Sequence, residues 1–75
     1  MQNEVIGAIA DILDVDARDV SAEKKLYDSI GVDSTEMVEL CVALGKKFGV
    51  KITTSEISKF STPVEITALI EKKKQ

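Results

Sequence analysis

The chain has 75 residues, of which 44% are hydrophobic and 31% charged, with a formal net charge of −3. A chain of this size buries only about 60% of its unfolded surface, so it makes one domain with a simple core. Its acidic balance excludes sequence-independent binding to DNA or RNA. With no histidine and one cysteine, it lacks the commonest general base and metal ligand, and it can form no internal disulfide.

Residues 4–13 place Val5, Ile6, Ile9, Ile12 and Leu13 at helical spacing. That stripe predicts a first amphipathic helix, with Asn3 as its cap. The opening residues carry acids where a secretory signal has its basic region, and no apolar run approaches a membrane span. A cytoplasmic protein, or one processed in an organelle matrix, is expected. Residues 14–33 show no sustained period, and a loop this long is uncommon in a small domain. Val15, Val20, Leu26 and Ile30 should pin it to the core, with a short turn near Leu26. Within it, "DVDARDVSAEKK" looks at first like a calcium loop starting at Asp14. Such a loop needs glycine at its sixth position and glutamate at its twelfth, where this chain has Asp19 and Lys25. No metal site is assigned, although loose divalent binding by the clustered acids stays open.

A second helix is predicted over Ser34–Phe48, where Met37, Leu40, Cys41, Leu44 and Phe48 form one narrow stripe and Gly49 supplies the left-handed end. Cys41 inside that stripe reads as a buried structural thiol. Two adjacent residues could cap this helix. With Asp33 as N-cap, Glu36 at N3 completes a capping box, and Val32 with Met37 makes a hydrophobic staple. With Ser34 as N-cap, N3 would be Met37, which has no oxygen to reach back. Asp33 is therefore the cap. Ser34 takes the first helical position with its hydroxyl free, beside N–H groups suited to a phosphate. On spacing alone, a small residue in a first turn needs no function.

"ITTSEISKF" predicts a short third helix, with a Thr53–Glu56 capping box and an Ile52–Ile57 staple. A fourth helix follows from Thr62 as N-cap, Pro63 at N1 and Glu65 at N3, with Ile66, Leu69 and Ile70 facing inward. Lys72, Lys73 and Lys74 suit its negative end. The stripes of the first, second and fourth helices should share a core with Ile52, Ile57 and Phe60. No strand pattern is present, so the fold class is all-α.

The stretch "IGVDSTEMVELCVALGKKFGVKI" resembles the acyl carrier protein family, whose signature is glycine, any residue, Asp-Ser-Leu, then Val-Glu-Leu on the same helix. Gly31, Asp33, Ser34, Val38, Glu39 and Leu40 match in register, and the likeness runs through Phe48 and Ile52 to the last helix. The resemblance implies a four-helix bundle with three longer helices, one short one and a long first loop, and a single carrier domain over residues 1–75. It implies attachment of 4′-phosphopantetheine to Ser34 by a phosphopantetheinyl transferase, with coenzyme A as donor. It further implies that the chain catalyses nothing itself. As a monomer it would carry acyl groups as thioesters between acyl-transferring and elongating enzymes that bear basic patches, in fatty acid or related lipid or polyketide biosynthesis. Thr35, Glu36, Val38, Glu39, Val42 and Lys46 would form the partner-docking face, with Val38 and Val42 as its apolar ridge. An aminoacyl or peptidyl carrier, or an unmodified helical interaction module, are the alternatives. Thr35 stands where the family has leucine, Ser29 where it commonly has an acid, and Gly45, Lys46 and Lys47 where well-known bacterial members have acids. These departures bear on the partner set and suit a dedicated carrier for a specialised pathway.

Overall fold

A computed structural model describes residues 1–75 as helices α1 (Gln2–Leu13), α2 (Leu26–Ile30), α3 (Ser34–Phe48) and α4 (Pro63–Lys73), with a 3₁₀ turn at Ala17–Asp19 and no strand. The all-α class and the tally of three longer helices and one short one hold. The short helix, however, stands inside the first loop, where a turn near Leu26 was expected, and not at residues 52–60. Each long helix buries one stripe. From α1 it is Val5, Ala8, Ile9 and Ala10; from α3 it is Met37, Leu40, Cys41 and Leu44; from α4 it is Ile66 and Ile70. Helix α1 packs against both α3 and α4, so the core lies where three apolar stripes converge. Val20, Leu26 and Val32 pin the first loop into it, and Ile52 and Ile57 close it from the α3–α4 connection.

The helix ends follow their local chemistry. Asp33 Oδ1 accepts from the Glu36 N–H at 2.8 Å and Glu36 Oε1 accepts from the Asp33 N–H at 3.0 Å, a complete capping box. Thr62 and Glu65 repeat it at the start of α4, with bonds of 3.1 and 2.8 Å. Gly31 and Gly49 end α2 and α3 in the left-handed region, at φ 64° and 70°, where a side chain would be strained. Asn3 is not a cap. Helix α1 starts two residues earlier than that cap would place it, at Gln2, with Met1 in the cap position and no side-chain bond there.

Residues 53–57 make one helical turn and stop. Glu56 Oε1 accepts from the Thr53 N–H at 3.0 Å, but the Glu56 N–H goes to the Thr53 carbonyl, so the capping box is only half made. Beyond it the serines take over the backbone. Ser61 Oγ accepts from the Ser58 N–H, and Ser58 Oγ from the Phe60 N–H, the local competition that makes serine a poor helix interior residue. The carbonyls of Lys59 and Ser61 instead turn outward to accept the N–H groups of Tyr27 and Leu26 at 2.8 and 3.0 Å. The open end of α2 is thus satisfied by the segment expected to be a helix of its own. Phe60 is accordingly not a core residue; it is 54% exposed.

Two features of α3 and one ion pair test this packing. Leu44 is fully buried, and Leu44→Ala should cost about 2–5 kcal/mol in urea unfolding. Gly45 is different in kind. A Cβ there would lie 2.6 Å from the Val50 carbonyl oxygen, and Val50 cannot retreat freely because its N–H donates to the Gly45 carbonyl at 2.9 Å. Gly45→Ala should therefore destabilise, by up to about 2 kcal/mol, although alanine is the better helix former. Lys73 Nζ lies 2.7 Å from Glu56 Oε2 and ties the end of α4 to the 53–57 turn. The Lys73 ammonium first, and then the Thr53 N–H, hold the Glu56 carboxyl below the ordinary glutamate value of 4.5. A carboxyl depressed in the folded state stabilises above its unfolded pKa, and loses that contribution as pH falls through the folded value. Glu56→Gln should lower the melting temperature at neutral pH, and the gap from wild type should close between about pH 5 and pH 3.

Candidate functional site

The Asp33–Glu36 box uses the N–H of Glu36, and the Met37 N–H donates to the Asp33 carbonyl. The Ser34 and Thr35 N–H groups are left without partners in the chain, at the positive end of a 15-residue helix. Ser34 itself is exposed and its hydroxyl makes no hydrogen bond. An anionic ester on that oxygen would meet two free donors and the helix dipole, the setting in which phosphates bind helix starts.

Ser34 also stands on the rim of an open groove of about 330 Å³ between the first turns of α3 and the 54–60 segment. Met37, Val38, Ile57 and Phe60 give it apolar walls, and Ser58 and Lys59 join Ser34 on its polar edge. A slender arm leaving Ser34 would find apolar surface beside it and Lys59 among the residues that line the groove. The residues present fit a phosphodiester-linked arm.

The other serine in the neighbourhood is out of reach, because Ser29 Oγ is buried and has no hydrogen-bond partner. The thiol of Cys41 is buried too. Burial first, and the negative charge of Glu56 second, push its pKa up, so it is a core residue and not a nucleophile at neutral pH.

The expected docking residues separate on α3. Val38 and Val42 are 53% and 54% exposed, one turn apart on the flank that holds Ser34. Thr35, Glu39 and Lys46 are exposed beside them. Glu36 is half-buried, commits one oxygen to the capping box, and lies about 160° around the helix from Val38. It therefore faces away from the ridge. In the first loop, both carboxylate oxygens of Asp16 are held by the Arg18 side chain at 2.9–3.3 Å, and Asp16 also caps the 3₁₀ turn. No three acidic or cysteine side chains come together anywhere in the chain.

One part of the site was not foreseen. Tyr27 and Phe60, half exposed, meet with ring centroids 5.9 Å apart, and Lys59 Nζ lies 5.2 and 5.4 Å from the two rings. Lys25 adds a cation 5.9 Å from Phe60. Phe60 and Lys59 of this cluster line the groove opposite α3, with Tyr27 behind them. Its only signal in the sequence was a lone aromatic among serines, which apolar spacing assigned to the core.

The family described as "Phosphopantetheine attachment site" matches residues 3–70. The chain is 38% identical over 71 residues to the acyl carrier protein of Thermotoga maritima, covering 95% of this chain and 88% of that one. It is 36% identical over 66 residues to the acyl carrier protein of Solidesulfovibrio magneticus, covering 88% and 85%. It is also 32% identical to the meromycolate extension acyl carrier protein of Mycobacterium tuberculosis, covering 95% of this chain and 65% of the relative. With the Asp33-capped helix and its free serine, these likenesses mean that the chain belongs to the phosphopantetheine-bearing acyl carrier protein family.

Proposed function

We propose that residues 1–75 form one acyl carrier domain, with Ser34 as the residue that bears 4′-phosphopantetheine. The observation that carries this reading is the division of labour at the head of α3. Asp33 and Glu36 satisfy the helix start between them, which leaves the Ser34 hydroxyl exposed, unpaired and beside an apolar groove. A phosphopantetheinyl transferase would join Ser34 Oγ to the pantetheine-side phosphorus of coenzyme A's pyrophosphate, breaking that phosphorus's bond to the bridging oxygen, which leaves with adenosine 3′,5′-bisphosphate while the enzyme removes the hydroxyl proton. Once attached, the arm supplies a terminal thiol that holds acyl groups as thioesters.

The chain's own residues then have physical tasks. The free N–H groups of Ser34 and Thr35 stabilise the ester's negative charge, Lys59 offers a cation along the groove, and Val38 and Val42 present an apolar ridge to a partner. The protein acts as a carrier and not as an enzyme. Its partners are acyl-transferring and elongating enzymes with basic surfaces that meet Glu39, in fatty acid or related lipid or polyketide synthesis. No helix is long and apolar enough to cross a membrane, and a monomer in the cytoplasm, where a lone thiol stays reduced, suits this role.

Incubation with coenzyme A, magnesium and a broad-specificity phosphopantetheinyl transferase should add one phosphopantetheine per chain, read by intact mass. Ser34→Ala should gain none while keeping the wild-type circular dichroism spectrum and melting profile. Modification of Ser29 or Thr35 in that variant would overturn the assignment.

A further inference from the structure

We propose that a second groove, beside Gly45, is a distal docking contact that takes an acidic segment of a partner enzyme carrying one aliphatic side chain. The inference rests on the carrier reading only for the identity of the partner. The groove encloses about 340 Å³ between α3 and the 50–52 segment. Gly45 lines it, and with no side chain there the backbone at Val50 sits directly over the helix. Val42, half exposed, and Ile52 supply apolar surface, while Lys46 and Lys51 line it from opposite elements.

The charges there have no partner of their own. Lys73 is paired with Glu56, and Lys25, Lys59 and Lys74 each lie within 6 Å of an aromatic ring centroid. Lys24, Lys46, Lys47, Lys51 and Lys72 have neither a carboxylate nor a ring, and of these five only Lys46 and Lys51 line the groove, which no acidic residue lines. In a chain of net charge −3, two unpaired cations across an apolar trough select an anionic segment with an aliphatic anchor. The trough lies 11 residues along α3 from Ser34, about 16 Å at the helical rise. One docking event could therefore engage it while Ser34 faces an active site. The outward face of α3 is thus bipolar, acidic around Glu39 and basic at the Gly45 groove. A partner would have to present the opposite order.

The test uses the full chain labelled with ¹⁵N and two synthetic peptides, Glu-Glu-Leu-Glu-Glu and Lys-Lys-Leu-Lys-Lys. At low ionic strength the acidic peptide should shift the amides of Val42, Gly45, Lys46, Val50 and Lys51, and the basic one should not. Lys46→Glu with Lys51→Glu should weaken the acidic peptide about tenfold, as loss of two exposed charge contacts does, and should transfer the response to the basic peptide. Lys24→Glu with Lys72→Glu, of equal net charge, should change neither. Both target lysines are exposed and unpaired, so the variant should fold, and Lys46→Gln with Lys51→Gln gives a second route to the same loss. Shifts spread over all lysines, an equal effect of the control pair, or concentration-dependent shifts without peptide, which would mean a second copy fills the groove, would each overturn the proposal. Phosphopantetheine loading of the same variants is read separately by mass. Loading of Ser34 without the peptide response rejects the groove alone, and the peptide response without loading rejects the carrier reading alone.

Discussion

The reciprocal hydrogen bonds between Asp33 and Glu36 are the constraint on which the site depends. A helix start needs its first N–H groups satisfied, and the side chain that satisfies them is lost to other uses. Two residues at this junction have suitable oxygens, and only one has an acid three positions later to return the bond. Asp33 therefore takes the cap, and Ser34 enters the helix with its oxygen unspent. The stripe from Met37 to Leu44 then fixes the rotation of α3 against the core. Start and rotation together leave Ser34 exposed on the same flank as Val38 and Val42. Had the serine capped the helix, its hydroxyl would point back at the backbone.

The groove beside Ser34 depends on a less local economy of hydrogen bonds. Helix α2 has only five residues and no capping side chain, so it is too short to be stable alone. Its first N–H groups are met by the carbonyls of Lys59 and Ser61, and the Val64 N–H in turn reaches the Ala22 carbonyl. The first loop and the α3–α4 connection thereby brace each other. This bracing stands Phe60 out of the core against Tyr27 and gives the groove a wall. Opening the connection would expose the start of α2, so movement on the two sides should be coupled.

The legible parts of the fold were those set by residues close in sequence. The Asp33–Glu36 and Thr62–Glu65 boxes, Pro63 at N1, and the left-handed glycine after α3 all act within a few residues, and each was read correctly. The stripes of α3 and α4 were legible because a helix converts sequence spacing into a face. The misreadings share a cause. Thr53 and Glu56 carry the same local signal as Thr62 and Glu65, but the N–H groups of Ser58 and Phe60, which would continue the helix, go to the Ser61 and Ser58 side chains. The carbonyls of Lys59 and Ser61 are held by Tyr27 and Leu26, some thirty residues earlier, and no window of local sequence contains that second set of bonds. Phe60 was placed in the core for the same reason, since its neighbours across the surface, Tyr27 and Lys25, are distant in sequence. Asn3 lost the cap of α1 because the helix extends to Gln2 and the Val5 N–H is met by the Met1 carbonyl.

The charge arrangement on α3 bears on how a carrier of this kind could discriminate. A substrate held on a covalent arm reaches an active site at a high effective concentration once its carrier docks. Docking itself can then be weak, and it must be brief if one carrier is to serve several enzymes. In that regime exposed charges matter more than their small individual energies suggest, because they set encounter rates and penalise mismatched partners. A helix acidic along its whole outward face would suit any basic surface of the right shape. Here Glu39 and Lys46 lie two turns apart on the same flank, with Val42 between them, and Lys51 continues the basic end. A uniformly basic partner surface that favours the first half of α3 is repelled by the second. Discrimination of that sort needs no deep pocket and costs little docking speed, since the same rim charges that reject one surface attract another. Screening by salt acts on both effects together, so the selectivity is greatest where encounter is fastest.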